Sequence, residues 1–160
     1  MKKALLLVLT FLSGVGLAQQ TPPVSSPLLD RLAGSWVLQG TIAGQTVTHD
    51  IDADWVLEHH YLRLHEISRE KIDKGEPQYE AFIFIAWSDS PKQYSCAWMD
   101  VFGGLSPVSV GVAAVKDSDI PFVFNNDFIY DAKTDTWQWR MDNVDKGAIK
   151  PFGRVKMVRK

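Results

Sequence analysis

Short apolar runs separated by turn residues dominate the chain after position 34. The runs are rich in Val, Ile, Phe, Trp, Tyr and Thr, the residues that favour β-strands. The connections are too short for crossover helices, so neighbouring strands are predicted to be antiparallel. The pattern predicts an all-β fold: a single antiparallel up-and-down barrel of about eight to ten strands. The predicted strands are 36–42, 46–53, 55–59, 61–70, 79–87, 93–101, 108–115, 122–130, 136–143 and 154–159.

One short helix is predicted before the first strand. Residues 28–33 have helical spacing of apolar positions for about one and a half turns, and Gly34 ends it. Residues 19–27 are rich in Pro, Ser, Thr and Gln, a composition typical of a flexible lead. The barrel domain is therefore predicted to occupy residues 28–160.

The first 18 residues have the pattern of a secretory signal peptide. Lys2 and Lys3 precede an apolar run at 4–12, and small residues lead up to Ala18. This run is shorter than the ~20 residues that a membrane-spanning helix needs. The sequence predicts cleavage after Ala18, no membrane span and a periplasmic or secreted protein.

Charge and cysteine content exclude some functions. The chain has 17 Lys and Arg against 19 Asp and Glu, and no run of like charge stands out. Nucleic acid is therefore not an expected partner. Cys96, the single cysteine, cannot form an internal disulfide and is interpreted as a small buried hydrophobic residue.

The predicted strand 79–87 is apolar on both faces, although a half-buried strand should alternate. Its outer face therefore needs cover. A loop or the N-terminal segment would provide it, and the alternative is the interface of a homodimer.

Gly34-Ser35-Trp36, following a short helix, resembles the G-x-W pattern of the calycins, the lipocalins and their relatives. Residues 55–62, 79–100 and 155–159 resemble a bacterial lipocalin-like family of unknown function, the DUF1579-type domains. The chain departs from that family at 86–89, where Ala-Trp-Ser-Asp replaces the usual Gly-Tyr-Asp turn entry. The resemblance implies that Trp36 plugs the closed end of a barrel and that Arg159 stacks on it, so both are interpreted as structural.

Candidate chemistry in the sequence is sparse. His59 and His60 are neighbours in sequence, so they would point to opposite faces of a strand. The only plausible metal grouping is His49 with His59 or His65. Glu58 or Asp50 could join it. No metal or other cofactor is predicted.

There is no G-x-S-x-G elbow, and no catalytic residue is assigned. A carboxylate pointing inward would be a candidate acid or base. The candidates are Glu66, Asp127 and Asp142.

Aromatic residues are the main excess, with six Trp in 160 residues. Aromatic walls with a few polar groups are typical of small-molecule sites. The face of Tyr61, Arg63 and His65 would supply a polar anchor if it looks inward; if Leu62 and Leu64 look inward instead, it lies outside. The predicted ligand-binding residues are Tyr61, Arg63, His65, Tyr94, Trp98, Trp137 and Trp139.

The leading functional hypothesis is a non-catalytic binder of a small hydrophobic or amphipathic molecule. The first alternative is an enzyme, of hydrolase or isomerase type, that uses an inward carboxylate or histidine. The second is an interaction protein with a filled barrel.

Overall fold

A computed structural model of the protein describes residues 26–103, 110–114, 118–122 and 126–160. The predicted signal peptide and most of the predicted lead lie outside these ranges. The elements are α1 (Pro27–Leu32), β1 (Gly34–Ile42), β2 (Gln45–Val56), β3 (Tyr61–Ser68), β4 (Glu80–Asp89), β5 (Lys92–Asp100), β6 (Val110–Ala114), β7 (Asp119–Phe122), β8 (Asn126–Asp131), β9 (Thr136–Asp145) and β10 (Ala148–Arg159).

The ten strands form one antiparallel sheet with the order β6-β5-β4-β3-β2-β1-β10-β9-β8-β7. The first and last strands are neighbours, paired from Trp36 opposite Arg159 to Ile42 opposite Gly153. The two edge strands, β6 and β7, lie against each other and nearly close the barrel. The predicted all-β antiparallel barrel with a short N-terminal helix is confirmed.

The largest differences between predicted and observed strand boundaries are in three places. A separate strand at 55–59 is wrong, because β2 continues to Val56 and the next residues turn, with the amide of His60 donating to the carbonyl of Leu57 at 3.2 Å. The predicted strand 122–130 covers the end of β7 and most of β8. The last strand begins at Ala148 and not at 154.

Side chains alternate between the interior and the outer wall, which determines the orientation of β3. Leu62, Leu64, Glu66 and Ser68 are buried inside the barrel, and the residues between them lie on the outer wall. The rest of the interior is mainly apolar and includes Leu38, Ile51, Ile83, Ile85, Phe128, Trp137, Trp139 and Met157. Burial of side chains of this size supplies most of the stabilisation of a fold, at about 1.5–3 kcal/mol each.

Helix α1 covers one end of the barrel, called here the closed end. Ser26 caps the helix by accepting from the amide of Leu29 at 3.3 Å, and Pro27 occupies its first turn, where no amide donor is needed. Leu29 and Leu32 are fully buried against the strands. The helix thus begins one residue before the predicted start and removes the apolar end of the barrel from water.

The outer wall carries exposed apolar side chains on β5, on β6 and just after β5. They are Met99, Val101, Val110 and Val112. The homodimer interface expected as an alternative cover for the outer face of residues 79–87 stays a prediction. Among the described residues, no helix is long and apolar enough to cross a membrane.

Candidate functional site

Polar side chains gather inside the barrel at the end opposite α1, called here the open end. His49 comes from β2 and Glu66 from β3, and both are buried, with 4% and 1% of their surface exposed. His49 Nδ1 is hydrogen-bonded to Glu66 Oε1 at 2.5 Å, and His49 Nε2 lies 3.9 Å from Glu70 Oε2. Tyr79 stacks on His49 with 5.7 Å between ring centroids. These four residues are called the open-end cluster.

Local hydrogen bonds hold the segment between β3 and β4 against this end. The Ser68 hydroxyl donates to the carbonyl of Glu70 and accepts from the amide of Tyr79, both at 2.9 Å. The amide of Ser68 also donates to the carbonyl of Tyr79 at 2.9 Å. Glu70 Oε1 accepts from the amide of Thr48 at 2.9 Å. The buried Ser68 hydroxyl therefore holds both Glu70 and Tyr79 beside His49 on β2 and Glu66 on β3.

Two carboxylate oxygens in the cluster have no hydrogen-bond partner among the described residues. They are Glu66 Oε2 and Glu70 Oε2, and both atoms are enclosed by protein. A buried acceptor without a donor costs about 1–3 kcal/mol. Native structures retain few such groups, and each one needs an explanation.

The Tyr79 hydroxyl belongs to the same environment. It accepts a hydrogen bond from Trp98 Nε1 at 3.0 Å. Burial and the negative charges of Glu66 and Asp100 raise the pKa of Tyr79 well above its usual value of 10.0. The hydroxyl is therefore protonated at neutral pH and serves as a neutral polar group.

An aromatic wall adjoins the cluster. The rings of Trp98 on β5 and Trp139 on β9 meet with centroids 5.2 Å apart, and Phe128 stacks on Trp139 at 4.5 Å. Trp98 is half-buried. Phe102, just after β5, is 81% exposed and lies 6.1 Å from Tyr79 between centroids. Apolar rings beside a few polar groups make up the usual lining of a small-molecule site.

The predicted aromatic site residues divide between the two ends. Trp98 and Trp139 lie at the open end. Tyr94 and Trp137 lie at the closed end, where the Tyr94 hydroxyl is 3.0 Å from the Ser26 hydroxyl and Trp137 is fully buried. The four do not form one site, because their strands place them at different heights along the barrel.

The prediction that Tyr61, Arg63 and His65 line the interior is wrong. Their side chains project from the outer wall, since the alternating positions of β3 point inward. Arg63 forms a bidentate ion pair with Asp54, and His65 Nε2 is 2.7 Å from Glu80 Oε1. Arg63 and His65 therefore have their polar partners outside the barrel.

Trp36 and Arg159 meet at the closed end. The Arg159 guanidinium carbon lies 4.1 Å from the centroid of the Trp36 ring. Its terminal nitrogens donate to the carbonyls of Ala33 and Arg31 at 3.0 and 3.1 Å. Trp36 Nε1 donates to the carbonyl of Leu32 at 2.7 Å. Both residues therefore join the helix to the strands and have structural roles.

Among the candidate carboxylates, Glu66 points inward. Asp127 and Asp142 lie on the outer wall, where they pair with Arg140 and Arg154 respectively. In the described part of the chain, no group of three or more His, Cys, Asp or Glu side chains is arranged to hold a metal ion. The groups of the open-end cluster can form hydrogen bonds, recognise charge and transfer protons.

The other histidine candidates do not approach His49. His59 stacks on Trp55 in the turn after β2, with 4.3 Å between ring centroids. His65 stacks on Phe82 at 4.3 Å on the outer wall. The grouping of His49 with either residue is therefore wrong.

Two further features are separate from the cluster. A depression of about 300 Å³ on the outer wall is lined partly by Gln39, Arg140 and Lys156. Its polar side chains point away from the interior.

Cys96 is buried, and burial raises the pKa of its thiol to about 12, which leaves the thiol unreactive at neutral pH.

Comparison of the sequence with protein-family models and with curated proteins gives no match. The resemblance to the DUF1579-type domains thus stays a prediction.

Sequence reasoning considered Glu66 and His49 but missed Ser68, Glu70 and Tyr79. One signal was available. Counting by twos from Leu62 and Leu64 places Glu66 and Ser68 on the same face, so a buried apolar start to β3 implies a polar end inside the barrel.

Proposed function

We propose that the chain is an exported binding protein that takes a small amphipathic molecule at the open end of its barrel. The observation that carries this proposal is the pair of enclosed, unpartnered oxygens on Glu66 and Glu70 beside the aromatic wall of Trp98 and Trp139. A ligand with a polar head and an apolar body would satisfy the oxygens and cover the half-buried ring of Trp98.

The packing of the closed end favours a small ligand held near the open end. Trp36, Trp137, Leu29 and Leu32 are all fully buried there. A long molecule reaching that depth would have to displace these side chains from a close-packed core. The accessible apolar contacts are instead Trp98 and Phe102, which are partly or largely exposed.

The test begins with the chain purified from the periplasm of a producing bacterium. Native mass spectrometry followed by solvent extraction identifies any small molecule that remains bound. The intact mass also tests export, because cleavage after Ala18 leaves a chain that begins at Gln19.

A matched pair of variants then locates the site. Trp98→Ala should weaken binding of the extracted molecule about tenfold or more, a loss of about 1.4 kcal/mol. Trp87→Ala is the control, because Trp87 is also half-buried but packs on Tyr94 at the closed end. Equal weakening by both variants, or an unliganded chain that binds no amphipathic probe, would contradict the proposal.

Acid–base catalysis is the second candidate, favoured by the contact between His49 and Glu66. A carboxylate that holds one imidazole nitrogen leaves the other nitrogen to exchange a proton with a substrate. Incubation of the extracted molecule with wild-type chain and with Glu66→Gln, followed by mass spectrometry, tests this. Catalysis predicts a product formed by the wild type and lost in the variant; an unchanged molecule in both supports simple binding.

A further inference from the structure

The unpartnered oxygens of the open-end cluster are both acceptors. Oε1 of Glu66 is hydrogen-bonded to His49, and Oε1 of Glu70 accepts from the amide of Thr48. Oε2 of each carboxylate has no protein donor among the described residues. Glu66 is 1% exposed, so water does not reach it freely. The group that completes this site must therefore bring hydrogen-bond donors.

The local charge is negative. Within the described residues, the ion pairs of Glu66 and Glu70 are with His49, one imidazole for two carboxylates. The guanidinium of Arg69, which also interacts with Glu70, lies on the outer wall and is bound to Asp50 at 2.8 Å. Two acidic side chains thus share one basic partner here, which disfavours an anionic head group.

A chain of aromatic contacts leads away from the cluster. Tyr79 packs on His49, its hydroxyl binds Trp98, and Trp98 packs on Trp139. Ring faces attract cations by about 0.5–2 kcal/mol, more where water is excluded. They also offer contact area to an alkyl or aryl group attached to the cation.

We infer that the head group recognised at the open end is a cationic amine, bound by Glu66 Oε2 and Glu70 Oε2 and flanked by Tyr79 and Trp98. This inference rests on the proposed binding function and specifies its ligand class. Both carboxylates lie within 4 Å of the same imidazole. An ammonium supplies several N–H donors from one atom, and charge-assisted hydrogen bonds are stronger than neutral ones.

Three probes of equal chain length test the inference: hexylamine, hexanol and hexanoate, each titrated into the purified chain at pH 7 by calorimetry. The amine should bind at least about tenfold more tightly than the alcohol or the carboxylate. If the alcohol or the carboxylate binds as tightly as the amine, the inference is overturned while the proposed function stands. If none of the three binds, both are contradicted.

Isosteric variants assign the preference to the two carboxylates. Glu66→Gln and Glu70→Gln should each reduce the preference for hexylamine over hexanol to about threefold or less. Glu80→Gln is the control, because Glu80 binds His65 on the outer wall, and it should leave the preference unchanged. Should Glu66→Gln fail to fold, Glu70→Gln carries the test, since its side chain is 35% exposed. An unaltered preference in Glu70→Gln would overturn the inference.

Discussion

His49 Nδ1 and Glu66 Oε1 lie 2.5 Å apart on neighbouring strands inside the barrel, and both residues are almost fully buried. Burying a carboxylate is costly unless a donor or a positive charge accompanies it. The imidazole fulfils this requirement for one oxygen of Glu66 only. The interior thus contains a polar pair that a purely structural core would not need.

This relationship predicts a large difference between single and double substitutions. His49→Ala should lower the free energy of unfolding by about 3 kcal/mol or more, because it leaves Glu66 buried without its partner. The double variant His49→Leu with Glu66→Met should be much less destabilised, or more stable than wild type, because apolar groups of similar volume replace both. Urea unfolding measures both effects; a double variant as unstable as the single one would contradict the prediction.

Arg159 should contribute more to stability than Arg69, although both side chains are exposed. Arg159→Ala removes the cation over Trp36 and two hydrogen bonds to helix carbonyls, so we expect a loss of about 2 kcal/mol. Arg69→Ala is the control, because its ion pair with Asp50 is on the surface and is worth under about 1 kcal/mol. Thermal or urea unfolding of both variants gives the comparison. Equal losses of unfolding free energy would show that the closed end does not depend on Arg159.

Gly40 is required by the close approach of β1 and β10. A Cβ there would lie 2.2 Å from the carbonyl oxygen of Arg154 and 2.7 Å from the Cα of Val155, both backbone atoms. Gly40→Ala should therefore cost more than about 3 kcal/mol, since the strands must separate. Gly44→Ala is the matched control: its φ is also positive, at 79°, but no atom lies within 4 Å, so only about 1 kcal/mol of backbone strain is expected. Similar unfolding midpoints for the two variants would rule out the clash.

The Cys96 thiol should resist alkylation in the folded protein. Its pKa is raised to about 12 by burial, so the reactive thiolate appears only as the pH approaches that value. At pH 8, iodoacetamide should modify Cys96 at least about a hundredfold more slowly in the native chain than in urea. Rapid modification without denaturant would indicate that the strands around Cys96 open readily.

The barrel was predicted from local turn and strand signals, and its closed end was implied by the resemblance to the calycins. Turn residues separate the strands, and Gly34, Trp36 and Arg159 occupy positions that the fold uses for closure. The turn after β2 was missed because three non-glycine residues, Leu57, Glu58 and His59, have positive φ there. A left-handed backbone at such residues is uncommon, and nothing in their side chains indicates it.

The orientation of β3 could not be predicted because both of its faces are mixed. Arg63 and His65 resemble interior anchors until their partners on neighbouring strands, Asp54 and Glu80, are known. Tyr79 reaches the interior from a connecting segment, through Ser68. Contacts that join residues from different strands depend on register, which periodicity alone does not supply.

The pairing of β1 with β10 also constrains how the barrel forms. During synthesis, β1 lacks one neighbour until residues 153–159 arrive. Joining segments so distant in the chain is entropically costly and slows folding. The barrel would therefore close late, after the whole chain has emerged, and a chain released without its last strand would expose the edges of β1 and β9 to aggregation.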